Sequence, residues 1–341
     1  MKKTILAVLA LASVVACNKS EVLEVAPQKA ISFGNPFVEN ATKAIDPSWS
    51  NTKVFESFNV YGTISNGTET ANIFNAVDVS SKTTTNTGTE GVNKTVWGYA
   101  ESATQYWVPG NTYAFAAVVG GTGVTVNTTE AGYHMPETIK YDASSQTDLL
   151  YAKDDYGKFE NNSPVCVEFG FNHLLAKAKF TFTNGCPKGY TVTVTNVRIT
   201  NAYADGEYTV GSSTWAPGTD TEELTFGNIV NSTETAENVE AVAILSGADN
   251  TEKLVYSSNY ERLLIPAEYT ALGIQFSYII TNKEGIEVRK VTDKEASVEI
   301  TLAAGNSYNF TAEIKEDLTP ITFTVTSTGS WTSQDQTVTI E

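Results

Sequence analysis

Few side chains in this sequence are suited to chemistry, and they are poorly spaced for it. There are two histidines, His134 and His173. They are far apart in sequence, and neither has metal-ligand spacing. His173 falls in an alternating apolar block, where a structural role is expected. Asp154-Asp155 is an acidic pair, but a calcium site needs a fuller oxygen cage. No Gly-rich phosphate loop, Cys-x-x-Cys or Gly-x-Ser-x-Gly occurs. Carboxylates distant in sequence can meet in a hydrolase, yet nothing marks such a pair here. The Asn-x-Ser/Thr triplets at Asn66 and Asn309 are expected by chance in a chain this rich in Asn and Thr. No catalytic residue, no metal site and no cofactor is expected.

The three cysteines, Cys17, Cys166 and Cys186, carry more information. Lys2 and Lys3 precede an apolar run from Thr4 to Ala12, and Ser13-Val14-Val15-Ala16 leads into Cys17. This is the layout of a secretory signal peptide. The run is too short for a membrane-spanning helix, which needs about 20 apolar residues. Val-Val-Ala-Cys resembles the bacterial lipobox. On that resemblance residues 1–16 are the signal peptide, the Cys17 thiol takes a lipid, and 17–30 is a tether to the outer membrane. Each buried CH₂ of an acyl chain contributes about 0.8 kcal/mol, so two or three chains anchor stably. In an exported chain Cys166 and Cys186 could form a disulfide; two free thiols are the alternative.

The elements that must carry these residues read as β-structure. The 341 residues are 41% hydrophobic and 11% aromatic, enough for two domains with a sizeable core. Thr, Val, Ile, Tyr and Phe recur, and such residues fit pleated, half-buried surfaces. A formal net charge of −17 opposes nucleic acid as a partner. Alternation is clean at Val165–Phe171, Ala176–Phe182, Val192–Ile199, Ile274–Ile280, Val298–Leu302 and Tyr308–Ala312. Ala30–Phe33 reads as a short first strand and Asn282–Gly285 as a hairpin turn. Helical periodicity is absent, and many short strands predict β-sandwiches. About eight strands fall on either side of residue 162. The expected plan is an N-terminal sandwich over 31–162, a linker near Glu160–Pro164, a C-terminal sandwich over 163–319, and strands over 320–341. Ser80–Glu90 reads as a long exposed loop. In the last segment Ile321, Phe323 and Val325 share one face, Trp331 follows a turn, and Val338 and Ile340 share another face.

Two blocks then resemble a known family. Asp148-Leu149-Leu150-Tyr151-Ala152, with Val167-Glu168-Phe169-Gly170-Phe171-Asn172-His173-Leu174-Leu175-Ala176-Lys177-Ala178-Lys179-Phe180, is similar to a hallmark of the fimbrillins of Bacteroidetes. Tyr106-Trp107-Val108-Pro109 and Ala41-Thr42-Lys43-Ala44 fit the same family. The resemblance implies an all-β fold: two tandem transthyretin-like antiparallel β-sandwich domains with a C-terminal strand appendage. It implies a surface lipoprotein trimmed by a trypsin-like protease, which removes an N-terminal strand and opens a groove. A neighbouring subunit's C-terminal strand would fill that groove, with Ile321, Phe323, Val325, Trp331, Val338 and Ile340 as donor residues. The family's cut typically follows Arg. This chain has only Arg198, Arg262 and Arg289, all beyond the first domain, and Lys43 stands at the expected place. The implied partners are other fimbrial subunits, the outer membrane, and a host or bacterial receptor. The rival reading is a monomeric surface lipoprotein that binds glycans on exposed Trp97, Trp107 and Trp215.

Overall fold

The computed structural model describes residues 29–34, 36–38, 56–84, 94–128, 133–158, 166–231, 240–245, 256–317, 320–328 and 336–339. Cys17, Lys43, the 160–164 linker, Trp331 and Ile340 lie outside the described residues. The first half forms β1 (Ser32–Phe33), β2 (Phe37–Val38), β3 (Ser57–Ser65), β4 (Thr70–Thr84), β5 (Lys94–Gly98), β6 (Thr112–Val119), β7 (Gly123–Val126), β8 (Pro136–Asp142) and β9 (Leu150–Tyr156). Then follow β10 (Cys166–Val167), β11 (Gly170–His173), β12 (Ala176–Asn184), β13 (Thr191–Tyr203), β14 (Asp205–Thr209), β15 (Thr214–Pro217), β16 (Thr221–Gly227) and β17 (Ile229–Asn231). The chain continues through β18 (Ile244–Leu245), β19 (Tyr256–Ser258), β20 (Arg262–Leu264), β21 (Glu268–Thr281), β22 (Glu287–Thr301), β23 (Ser307–Ile314), β24 (Phe323–Thr328) and β25 (Gln336–Thr339). Helical structure among the described residues is confined to two three-residue 3-10 turns, Glu101–Ala103 and Ala143–Ser145. The all-β expectation holds.

The alternating segments behave as their patterns require, because successive strand side chains point to opposite faces. Ala176, Ala178, Phe180 and Phe182 are all buried, as are Val192, Val194, Val197 and Ile199. The β21–β22 hairpin turns where Asn282 Oδ1 accepts from the amides of Glu284 (3.1 Å) and Ile286 (2.9 Å). Gly285 supplies the left-handed residue there, at φ 79°. The Ser80–Glu90 loop is corrected in part: Ser80–Thr84 continue β4 and pair with β5, because Ser and Thr serve on a strand as well as in a loop.

The C-terminal part is a two-sheet sandwich. One sheet runs β17-β19-β12-β23-β24-β25 and the other β16-β13-β21-β22. A single apolar cluster lies between them, with Phe180, Phe182 and Phe310 from the first sheet and Val194, Phe226 and Phe276 from the second. The N-terminal part is one sheet in the order β10-β1-β5-β4-β3-β6-β9-β11-β2. It surrounds an aromatic cluster with Phe58, Phe74, Phe115, Phe169 and Phe171 fully buried.

The boundary at 162/163 is corrected. Residues 166–173 pair with β1, β2 and β9 and belong to the first sheet. Val167, Phe169 and Phe171 point into the aromatic cluster, so their burial decides the sheet they join. The two parts are also stitched together. A four-strand sheet, β15-β14-β8-β7, mixes strands from both. A third cluster joins Tyr61, Val118, Ile139 and Tyr141 to Leu175, Leu263 and Ile265.

Gln146 clasps this junction. It sits in the left-handed region at φ 47°. Its Nε2 donates to Leu263 O (3.1 Å) and its Oε1 accepts from Leu263 N (2.9 Å), across 117 residues of chain. Gln146→Ala leaves both backbone groups partly buried without that partner, at roughly 1–3 kcal/mol. Chemical denaturation should show a lower midpoint of that size; an unchanged midpoint would mean that the clasp contributes nothing.

Candidate functional site

The slot that holds the first strand is the most distinctive site. β10 and β11 are separated only by Glu168 and Phe169 and run on as one line of chain. On one flank this line meets β1 and β2 in parallel; on the other it meets β9. The remaining neighbours β5, β4, β3 and β6 complete the circuit, so the sheet closes on itself. β1 is the closing stave. Phe33 pairs with Val167 on one side and Trp97 on the other.

Hydrogen bonds reach this segment from both flanks. The Ile31 amide donates to Gln105 O (2.8 Å), and the Trp107 amide donates to Lys29 O (3.0 Å). On the other flank the Gly34 amide donates to Val167 O (2.8 Å) and the Phe37 amide to Phe169 O (3.1 Å). Tyr99 Oη donates to Ile31 O (2.7 Å). Ile31 is 1% exposed and Phe33 4%, so these two side chains are sealed in the core while Ser32 and Phe37 face outward. The Phe33 ring lies 5.7 to 6.4 Å from five others: Phe58, Phe74, Tyr99, Phe115 and Phe169. Burying Ile31 and Phe33 contributes about 1.5–3 kcal/mol each before ordering costs.

The terminal strands are docked at home. β24 pairs antiparallel with β23 over Ala312–Ser307, and β25 pairs antiparallel with β24. Phe323 and Val325 are buried in the C-terminal cluster, and Ile321 packs against it half-buried. Phe323 lies 5.8 Å from each of Phe180, Phe182 and Phe276. Of the six expected donor residues, three are therefore members of their own sandwich core. Val338 lies on β25, the outer strand; Trp331 and Ile340 fall outside the described residues.

The other residues singled out in the sequence are dispersed. The disulfide is corrected: Cys166 and Cys186 are free thiols. Cys166 faces Ser32 in the first sheet, with Ser32 Oγ 3.6 Å from its Sγ. Cys186 belongs to the C-terminal cluster and donates to Ile314 O (3.6 Å). The two lie against different parts of the fold, which sequence separation could not reveal. Trp107 is buried against Tyr113 at 4.6 Å. Trp97 is half-buried on Phe58 at 5.3 Å. Trp215 is half-buried, and its Nε1 donates to Leu174 O (2.8 Å). None of the three is the fully exposed ring that the glycan reading expected. His173 Nδ1 lies 2.7 Å from Asp148 Oδ2, both side chains being buried, and it joins β11 to the approach to β9. Asp154 accepts from Tyr156 Oη (2.6 Å), and Asp155 pairs with Lys153 (2.8 Å).

All three arginines are engaged in paired strands. Arg198 Nη2 donates to Asp293 (2.8 Å) and Arg262 Nε to Thr225 O (2.6 Å). Arg289 Nη1 donates to Glu316 O (3.1 Å) and Asp317 O (2.8 Å), fixing the approach to the terminal strands. Sequence reasoning missed this last role, since an isolated Arg on a strand gives no sign of distant carbonyl partners.

The first sheet is closed by its own first strand, and two uncharged strands, β24 and β25, end the C-terminal sheet. The sequence matches the fimbrillin-like family over residues 42–331, and the chain belongs to that family. Its fold is similar to that of a fimbrial protein from Bacteroides vulgatus, at 17% identity over 89% of this chain and 99% of that one, with a TM-score of 0.61. Candidate cell adhesion proteins from Bacteroides uniformis (17% identity, 89% and 99% covered, TM-score 0.44) and Bacteroides ovatus (14%, 92% and 99%, 0.45) also match. A search of curated proteins gave no match. Membership supports a fimbrial or adhesive role at the cell surface, in a family that is structural and non-enzymatic.

The Cys186 thiol is pushed up to about 11 by burial and then by the nearby carboxylates of Glu316, Asp317 and Glu313. At pH 8 about one thiol in a thousand is then the reactive thiolate. Alkylation of the folded protein should leave Cys186 unlabelled, while denaturation without reductant should label both Cys166 and Cys186. A Cys166–Cys186 peptide in the non-reduced digest would refute the free-thiol assignment.

Proposed function

We propose that this chain is a structural subunit of a cell-surface fimbria, exported as a lipoprotein through Cys17 and assembled by strand exchange. The observation that carries the reading is the place of β1. It sits between β5 and β10, buries Ile31 and Phe33, and closes the first sheet. Its removal would leave unpaired backbone groups on both flanks and an apolar trench between them, which a strand from another chain can fill.

The place of β1 and β2 supports a cut in the segment that follows them. A cut after Lys29 leaves β1 covalently joined to the body. A cut after Lys43 lies beyond β2 and separates the whole 29–38 segment. Arg198, Arg262 and Arg289 are held in ladders and suit a protease poorly.

The donor is β25 and not β24. Pulling Phe323 out of three ring contacts would open a cavity, and losing a buried Phe costs about 3–5 kcal/mol. β25 has a neighbour on one side only. Val338-Thr339-Ile340 also repeats the apolar–hydroxyl–apolar order of Ile31-Ser32-Phe33. Alternate apolar positions are what a trench with pockets on one face accepts. Because the donor and the slot are different surfaces, in different sheets, a contact between copies is head-to-tail and extends into an open fibre where the rotation does not close.

Two measurements test this. Deletion of 329–341 should leave a folded monomer that forms no polymers after protease treatment, seen as loss of the ladder on a gel. Ladders equal to those of the intact chain would sink the donor assignment. Ser32→Cys places a second thiol opposite Cys166. Once oxidised, the variant should be cut normally yet stay monomeric, and polymerise when reductant is added.

A further inference from the structure

We infer that the slot is a peptide-binding site that keeps its own excised strand: once the chain is cut beyond residue 38, the 29–38 segment stays bound as a non-covalent ligand. This rests on the reading that a cut in the following segment precedes exchange. Among the described residues, the contacts that hold β1 come from the 29–38 segment. Gln105, Trp107, Val167 and Phe169 hold its backbone from two flanks, and Tyr99 adds a side-chain bond. The Phe33 ring and the Ile31 side chain are enclosed in the aromatic cluster. These contacts are made by residues 29–37, so breaking a peptide bond beyond residue 38 leaves all of them in place. The ligand class is an extended peptide with the order apolar–hydroxyl–apolar, read from Ile31-Ser32-Phe33, in which the aromatic ring of Phe33 makes the native segment the tighter ligand.

The consequence is regulatory. The nicked protein is a latent monomer, and displacement of the segment, not proteolysis, commits it to assembly. With Cys17 lipidated, the body also stays on the membrane until an incoming strand displaces the bound one.

The purified full chain, cut between residues 39 and 55, is passed through gel filtration under native conditions. The 29–38 segment should elute with the body and separate only in denaturant. A labelled synthetic peptide of residues 29–38 should exchange into the nicked complex, read by fluorescence anisotropy. The same peptide with Phe33→Ala should compete at least about 100-fold less well. Because that change is in the peptide, the body's folding is untouched. Loss of the segment on cutting, or equal competition by both peptides, overturns the proposal. So do polymers that appear at the rate of cutting and are not slowed by excess peptide. If the segment stays bound and exchanges but no polymer ever forms, the slot proposal stands and strand exchange between subunits falls.

Discussion

The closure of the first sheet by two residues of β1 is the constraint from which the rest follows. A sheet that rolls into a circuit has no free edge, and free edges invite association. Here the circuit is completed by a segment near the start of the chain, packed parallel to 166–171 and antiparallel to β5. The aromatic cluster explains why so short a strand suffices. Phe33 touches five rings, so its place is fixed by packing and not by ladder length. A longer first strand would be harder to displace, and one without Phe33 would not stay in place.

The C-terminal sheets obey a different rule. Among the described strands the two C-terminal sheets end at β17, β25, β16 and β22, and β22 and β25 differ sharply in charge. Seven of the fifteen residues of β22 are charged, which is how natural sheets discourage unwanted pairing. β24 and β25 carry no charge at all. An unguarded edge is a hazard in a monomer unless pairing is its purpose. Charge therefore guards β22 and leaves β25 unguarded, while Phe323 ties β24 to its own core.

Much of this was legible in the sequence, and what was not has physical causes. Period-two alternation found the strands, since the side-chain period is fixed by the pleat. The segment around Ile31–Phe33 was visible as a strand, but its place between two distant strands was not. Parallel partners more than a hundred residues away leave no local trace. The 162/163 boundary was misplaced because polar linker composition was weighed over the apolar alternation of Val167, Phe169 and Phe171. The terminal pattern at Ile321–Val325 suggested a strand correctly. Whether it is buried at home or in another copy is a competition between two apolar sites, and sequence does not rank them. The cysteines failed for the same reason: spacing does not reveal which core each faces.

The stitched junction gives the slot its mechanical meaning. β8 pairs with β14 across the two parts, and Tyr61 and Ile139 share a core with Leu263 and Ile265. A subunit joined at one end by its slot and at the other by its tail would be loaded along its length. Were the two parts tethered by a loop alone, that load would fall on a flexible link. With a shared sheet and a shared core, it passes through packed side chains and ladder hydrogen bonds, which share the strain among many contacts. The weakest element in such a chain of subunits is then the exchanged strand itself, so the depth of the Ile31 and Phe33 pockets limits how firmly any occupant can be held.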